Sequence, residues 1–519
     1  MDRILAADAA PSAPASDRDL SYAACARAHV IDLASTLFLF VVASVSAGRV
    51  WRFPFDDEIY TLSLIQRYSA LTLLTVFPKQ TEVTPPLPYL LFYGLHQLGL
   101  SEGGMRLCSL AMTALALVLL QLLALTLIAD RNRAAGAPAT RLIAVIGFAL
   151  TPLAISQGDA LRWYPLFALL IALFLTLYLV PRDGAARLCS GAVLGLAGST
   201  SLLAALVALA LMAYRYGLER RFRWSFDVSY WLLAAAGAGL GVYSAVWTFA
   251  TRLAVVHTEF EPNILRSVLT DALGFFGGDA LGVSQAWIVA PAIVVFAIAA
   301  FSQIDRKHPG NPVHLLLLML GSAAVMALVG FSKPRSFLFL APVVAALLTL
   351  FFDGQLQQGR AGRVLVQVGL VLAAAVAAIA NIDFGTHPFK RNSVIPYQNV
   401  LDFIHSNEKG GVLIVSTDPV VPWELQKAHD NGCIGYFFEV ERCLNSVQRY
   451  DSVFVITGHS DLSANAAVMQ KFHELLASIT AGRRKVATIP VGLDEDAALK
   501  SRLTGVPLDR YILTVDLYR

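Results

Sequence analysis

Asp57 and Glu58 stand side by side in Trp51-Arg-Phe-Pro-Phe-Asp-Asp-Glu-Ile-Tyr60, directly after the chain's first apolar run of membrane length and away from its basic N-terminal segment. A carboxylate held at a bilayer surface can take the proton of a hydroxyl, and ionisable groups at membrane depth are functional candidates by default. The plainer alternative is that acids mark where a helix leaves lipid. Cations recur further along, at Arg106, Arg162, Lys333 and Arg335. These types suit a phosphate, because arginine grips two oxygens through a planar fork and lysine supplies a point charge. Each could equally snorkel to lipid headgroups from a helix end. His257, Glu259 and Glu261 have metal-ligand types without metal-ligand spacing and read as polar loop residues. The ten histidines form no paired motif, and the sequence holds neither a P-loop nor a glycine-rich dinucleotide fingerprint.

The elements that must position these residues are membrane helices. Of 519 residues, 56% are hydrophobic and only 15% charged, more apolar surface than a soluble core of this length can use. A span needs about 20 apolar residues, and about eleven runs qualify: 30–50, 106–129, 141–157, 163–180, 188–199, 200–214, 228–250, 284–303, 313–331, 336–352 and 364–382. The fifth and sixth are short enough to form one bent span, but two spans are preferred because they keep the Arg220 cluster on the inner side; the count lies between 10 and 13.

Orientation follows from Lys and Arg in the short connections. Arg3, Arg18, Arg27, Arg131, Arg133, Arg141, Arg182, Arg187, Arg215, Arg220, Arg221, Arg223, Arg306, Lys307, Arg360 and Arg363 fall on one side, against four in the longer first outer loop, Arg52, Arg67, Lys79 and Arg106. The N-terminus is therefore expected in the cytoplasm and the chain after residue 383 outside it. Residues 1–29, rich in Ala, Ser, Pro and Asp, are predicted to be disordered. The first span reads as an uncleaved anchor, its n-region being too long and acidic for a signal peptide. A net charge of +3, produced mostly by inner loops, gives no reason to expect nucleic acid.

The first outer loop contains two apolar segments, Ile59 to Val76 and Leu87 to Leu100, predicted as helices lying in the membrane surface. Residues 383–519 have the composition of a soluble domain. Strands are predicted at Val412–Ser416, Ser452–Thr457, Lys485–Val491 and Tyr511–Leu517, with a helix at Asn465–Thr480, giving a small extracytoplasmic α/β domain. Cys433 and Cys443 are the only cysteines in this tail. Their spacing allows a disulfide worth about 2 to 3 kcal/mol, with two reduced thiols as the alternative.

Five short segments, in order, resemble the GT-C class of integral-membrane glycosyltransferases, in the branch of protein O-mannosyltransferases and lipid A aminoarabinose transferases. They are Asp57-Glu58-Ile59-Tyr60; Thr84-Pro85-Pro86-Leu87-Pro88-Tyr89-Leu90; Ser101-Glu102 with Arg106-Leu107; Ser156-Gln157 through Arg162-Trp163-Tyr164; and Lys333-Pro334-Arg335 before a span containing Pro342. Together they cover roughly residues 30 to 350. Thr84 stands where the family usually has His, with Glu82 two positions earlier.

The resemblance implies an α-helical polytopic fold, with a transmembrane transferase domain over 30–382 and the α/β domain over 383–519. It also implies a polyprenyl-phosphate sugar as donor and a lipid, glycan or protein acceptor at the outer face of the cytoplasmic membrane. Asp57 would be the base and Glu58 its hydrogen-bond partner or a second acceptor contact. Arg162, Tyr164, Lys333, Arg335 and Arg106 would face the donor phosphate, and Glu82, Thr84 and Glu259 the acceptor or its loops. No cofactor is established, a divalent cation stays open, and no metal ligand is assigned. One direct displacement by an activated acceptor would invert the anomeric carbon. A transporter or flippase, or an envelope-assembly scaffold, are the rival readings. The tail carries none of the matched motifs, so its expected role is acceptor access or partner binding.

Overall fold

The computed structural model describes residues 49–51, 53–54, 56–75, 84–131, 157–180, 184–220, 222–252, 313–328, 334–357, 397–418, 420–426, 433–436, 450–458, 466–491 and 513–519, with isolated positions in 30–40, 294–312 and 364–368. Two compact units are present. One contains the helices between Ser69 and Ala377; the other joins the segment around Asp56–Arg67 to the C-terminal region.

In chain order the helices of the described regions begin with α1 (Asp56–Arg67), α2 (Ala70–Thr75), α3 (Leu87–Gln97) and α4 (Glu102–Arg131). They continue with α5 (Trp163–Leu179), α6 (Gly184–Gly198), α7 (Ala204–Met212, running on as a π-helical turn over Ala213–Leu218), α8 (Trp224–Gly237) and α9 (Gly239–Arg252). Then come α10 (Val313–Leu328), a 3-10 turn (Pro334–Phe337), α11 (Leu340–Gln357) and α12 (Tyr397–Asn407). The C-terminal region adds β1 (Val412–Ser416), α13 (Val420–Gln426), β2 (Cys433–Tyr436), β3 (Ser452–Gly458), α14 (Ala466–Thr480), β4 (Lys485–Val491) and β5 (Leu513–Tyr518).

The helical unit is organised on α4, whose stretch Glu102–Ile128 is long and apolar enough to cross a membrane. The other apolar helices among the described residues are shorter or bent. The corner from α3 into α4 is built by local chemistry. Leu100 N donates to Leu95 O and Gly99 N to His96 O, with Gly99 at φ 81°, a left-handed position where glycine carries no Cβ penalty. Ser101 Oγ then accepts from Gly104 N at 3.3 Å, capping α4. The Ser-Glu pair of the sequence motif is thus a helix start, with Glu102 at the positive end of the dipole. α4 packs against α5 and α11, and α5 against α6.

The 188–214 run forms two helices, separated by the turn at Ser199–Leu203. The expected single span over 228–250 is instead broken into α8 and α9, bent by 60° at Ala238. Two glycines flank the break, and the Gly237 carbonyl it frees accepts from Ser199 Oγ at 2.7 Å while Gly241 N donates to the same oxygen. Such compensation is what allows a bent helix inside a bilayer. α6 and α8 approach closely: a Cβ at Gly195 would stand 2.2 Å from Ala234 O, and one at Gly237 2.7 Å from Ala192 O. Small residues let helix backbones meet where lipid supplies no hydrophobic drive.

At one end of this unit Arg215, in the π turn, pairs with Asp227 of α8, both buried. Tyr216 OH and Arg223 N also donate to the Asp227 carboxylate, Trp231 Nε1 donates to Tyr216 OH, and Arg215 Nη1 donates to Tyr178 OH. Arg215 is therefore one half of a neutral internal pair rather than the free loop cation its sequence position suggests.

The second unit has a five-stranded sheet in the order β2-β1-β3-β5-β4, parallel among the first three and antiparallel beyond. β1 and β3 are covered on both faces and read as continuous apolar runs, as central parallel strands must. Leu413, Val415, Val453 and Val455 pack with Phe472 and Ile479 of α14 on one side. On the other, Phe403 of α12 meets Phe454 edge-on. The expected strands and helix are present within two residues of their expected bounds; β2, α12 and α13 were not anticipated. Cys443 and the side chain of Cys433 lie outside the described residues.

Candidate active site

In the helical unit, two of the matched segments meet at the start of α5. Arg162 takes an extended backbone (φ −137°, ψ 179°) immediately before the helix, and its Nη1 donates to Tyr89 OH at 3.2 Å. Tyr89 belongs to the Thr84-to-Leu90 segment on α3, so this bond joins two motifs far apart in sequence. The approach to α5 is anchored to α4 by Thr113 Oγ1, which donates to Gly158 O at 2.8 Å. Asp159, fully buried, lies in the same turn.

Burial argues against snorkelling for Arg106 and Arg162. Arg162 is 8% exposed and Arg106, in the second turn of α4, 1%. A snorkelling arginine keeps its head in headgroups or water, whereas these guanidinia are enclosed by protein, where a charge must be compensated. Tyr164 is buried too, its ring 4.5 Å from that of Trp163, and so is not a belt aromatic at the bilayer edge. The 3-10 turn carrying Arg335 packs beside α5, and Phe167 of α5 meets Phe339 edge-on at 5.0 Å. Arg335 is thereby placed by its backbone next to the segment that Arg162 opens. Thr84 is half-buried ahead of α3.

In the second unit, Asp56, Asp57 and Glu58 form the first turn of α1. That is where unsatisfied backbone N–H groups and the helix dipole favour negative charge, by about 0.3 to 1 kcal/mol per group. Glu58 is 1% exposed. α1 is amphipathic, burying Ile59, Leu62 and Ile65, and it packs on α13 of the C-terminal region. Ahead of α1, Phe53 lies 5.3 Å from the ring of Tyr397, the first residue of α12. The matched Asp-Glu pair therefore belongs structurally to the unit containing the tail, which the sequence reading had kept apart from it.

For Asp57 and Arg335 the backbone is described; Glu82, Glu259 and Lys333 lie outside the described residues, as do His257 and Glu261. Sequence reasoning gave no role to Asp159 or to Tyr89, although each lies within a quoted motif.

No protein-family model and no curated protein matches the chain. Solved structures do. The crystal structure of ArnT from Cupriavidus metallidurans in the apo state aligns with a TM-score of 0.52 at 12% identity, covering 93% of this chain and 97% of that one. The structure of the same protein bound to undecaprenyl phosphate aligns with a TM-score of 0.50 at 13% identity and the same coverage. The fold of this chain is thus ArnT-like over nearly its full length, in agreement with the resemblance read from its short motifs.

Proposed function

We propose that the chain is an inverting glycosyltransferase, moving a sugar from a polyprenyl-phosphate donor to an envelope acceptor at the outer face of the cytoplasmic membrane. The observation that carries the reading is the buried Arg162–Tyr89 contact, which ties two family-like motifs into one enclosed cationic region. A fold shared with a protein crystallised with undecaprenyl phosphate adds support.

In this reaction the acceptor hydroxyl attacks the anomeric carbon. As the new C–O bond forms, the bond from that carbon to the phosphate oxygen breaks, and the polyprenyl phosphate leaves with the electron pair. The hydroxyl proton passes to Asp57, a step worth about 10² to 10⁴-fold. Glu58, buried and next to it in sequence, is assigned as its hydrogen-bond partner or as a second acceptor contact. Arg162, Arg106, Tyr164, Lys333 and Arg335 are assigned to the phosphate, whose growing charge in the transition state rewards fixed donors. Glu82, Thr84 and Glu259 are assigned to the acceptor side.

A transporter would be expected to place polar groups at a broken helix near mid-membrane. At the α8–α9 break the freed carbonyl is already taken by Ser199, and the flanking residues are Gly and Ala. The deciding experiment supplies purified, detergent-solubilised protein with radiolabelled polyprenyl-phosphate sugars and extracted envelope lipids, glycans and proteins. Label transfer to one acceptor class is expected. Binding of the donor with no transfer to any class would sink the enzyme reading.

A further inference from the structure

Outside the residues assigned to chemistry, one chain of contacts runs from the C-terminal α/β fold to the helix bearing Asp57. Tyr397 presses its ring against Phe53, just ahead of α1, at 5.3 Å. Its hydroxyl donates to Asp418 Oδ2 at 3.0 Å in a buried site, and Asp418 Oδ1 accepts from Val420 N at 2.8 Å, fixing the start of α13. Asp418 N in turn donates to Ser416 Oγ, the last residue of β1, and Thr417 N donates to Ile456 O of β3. α13 then packs on α1. Tyr397 and Asp418 are 5% and 0% exposed, so neither serves solvent or a loose surface.

We infer that Tyr397 is a positioning residue: with Asp418 it clamps the Asp57-bearing helix α1 from both ends of the same contact chain, making the C-terminal α/β fold a part of the catalytic scaffold. The inference rests on the proposed transferase reading for its kinetic readout only. The physical reason is one of precision. α1 is only 12 residues long and preceded by a short turn, so its own hydrogen bonds fix its shape but not its place. The end of the central strand β1, reached through a buried ring and a hydrogen bond to Asp418, fixes the place. A base displaced by about 1 Å can cost up to about 100-fold in rate.

The test uses the full chain in detergent, with two readouts: steady-state transfer from the labelled donor, and amide hydrogen exchange over Asp56–Arg67. Tyr397→Ala should lower kcat by about 30 to 100-fold, keep donor KM within about twofold, and speed exchange in α1 by about tenfold. Tyr397→Phe keeps the ring contact and should recover kcat to within about fivefold of wild type. Phe53→Ala removes the opposing ring without touching the sheet and should reproduce the Tyr397→Ala pattern. Phe472→Ala, in the far core, is the control for general loosening: it should lower the melting temperature without selectively speeding α1. Wild-type exchange in α1 for Tyr397→Ala and Phe53→Ala overturns the inference, as does equal loosening of α1 by Phe472→Ala. If wild-type protein transfers no sugar, the transferase reading fails, while the exchange data still decide the clamp.

Discussion

Arg162 donates to the Tyr89 hydroxyl across 3.2 Å inside the helical unit, so the residue that opens α5 is held by α3. The tyrosine fixes one face of the guanidinium and leaves the fork's direction defined. Tyr89→Phe should weaken donor binding by about three- to tenfold, the net worth of one ordinary hydrogen bond, with little change in kcat. Arg162→Ala should weaken it further, and Arg162→Lys should rescue only in part because an ammonium cannot grip two oxygens. Isothermal binding of the polyprenyl-phosphate donor checks this; unchanged affinity in all three variants returns Arg162 to a packing role.

Asp57→Asn should abolish turnover by roughly three or more orders of magnitude while donor binding stays largely intact, since shape is kept and the base is lost. Single-turnover transfer by purified protein is the measurement. Activity within about tenfold of wild type would move the base to Asp56 or Glu58.

Asp227→Asn should destabilise the helical unit by about 3 to 5 kcal/mol, because it leaves the buried Arg215 without its countercharge. Replacing both partners, as Arg215→Met with Asp227→Leu, should recover much of that loss. Thermal unfolding in detergent separates the two cases, and equal melting of Asp227→Asn and wild type would show the pair to be dispensable.

Gly195→Ala should cost about 1 to 3 kcal/mol, since the new methyl would meet the backbone carbonyl of Ala234 rather than a side chain that can turn away. Gly94→Ala, on α3 with nothing within 4 Å of the new Cβ, should instead be neutral or stabilising by up to about 1 kcal/mol through helix propensity. Comparable melting of the two variants would mean that α6 and α8 do not depend on close backbone contact.

What the sequence disclosed follows from how local each signal is. β1, β3, β4 and β5 are β-branched runs of five to seven residues and were readable. β2, at four residues with Gly435 inside, and α13, with Pro422 in its first turn, carry too little pattern to be seen. Arg162 was legible as a candidate from its Arg-Trp-Tyr segment, but its enclosure depends on α3 folding back to it, which no local pattern encodes. Likewise Arg215 looked like a loop cation because its partner stands in the next helix. The attachment of α1 to the C-terminal fold was missed for the same reason: the Phe53–Tyr397 pair and the packing of α1 on α13 join segments with most of the chain between them.

That last contact bears on how the protein is made. Phe53 leaves the ribosome early and Tyr397 late, so α1 reaches its final surroundings only after most of the chain between them has been made. Contacts so distant in sequence form slowly, and N-terminal parts of a nascent chain meet the membrane first. A half-synthesised chain would therefore hold its enclosed arginines before its carboxylate turn is secured. Polypeptides truncated during synthesis would be left with α1 unanchored, and synthesis of the C-terminal fold would be the step that fixes the first helix in place.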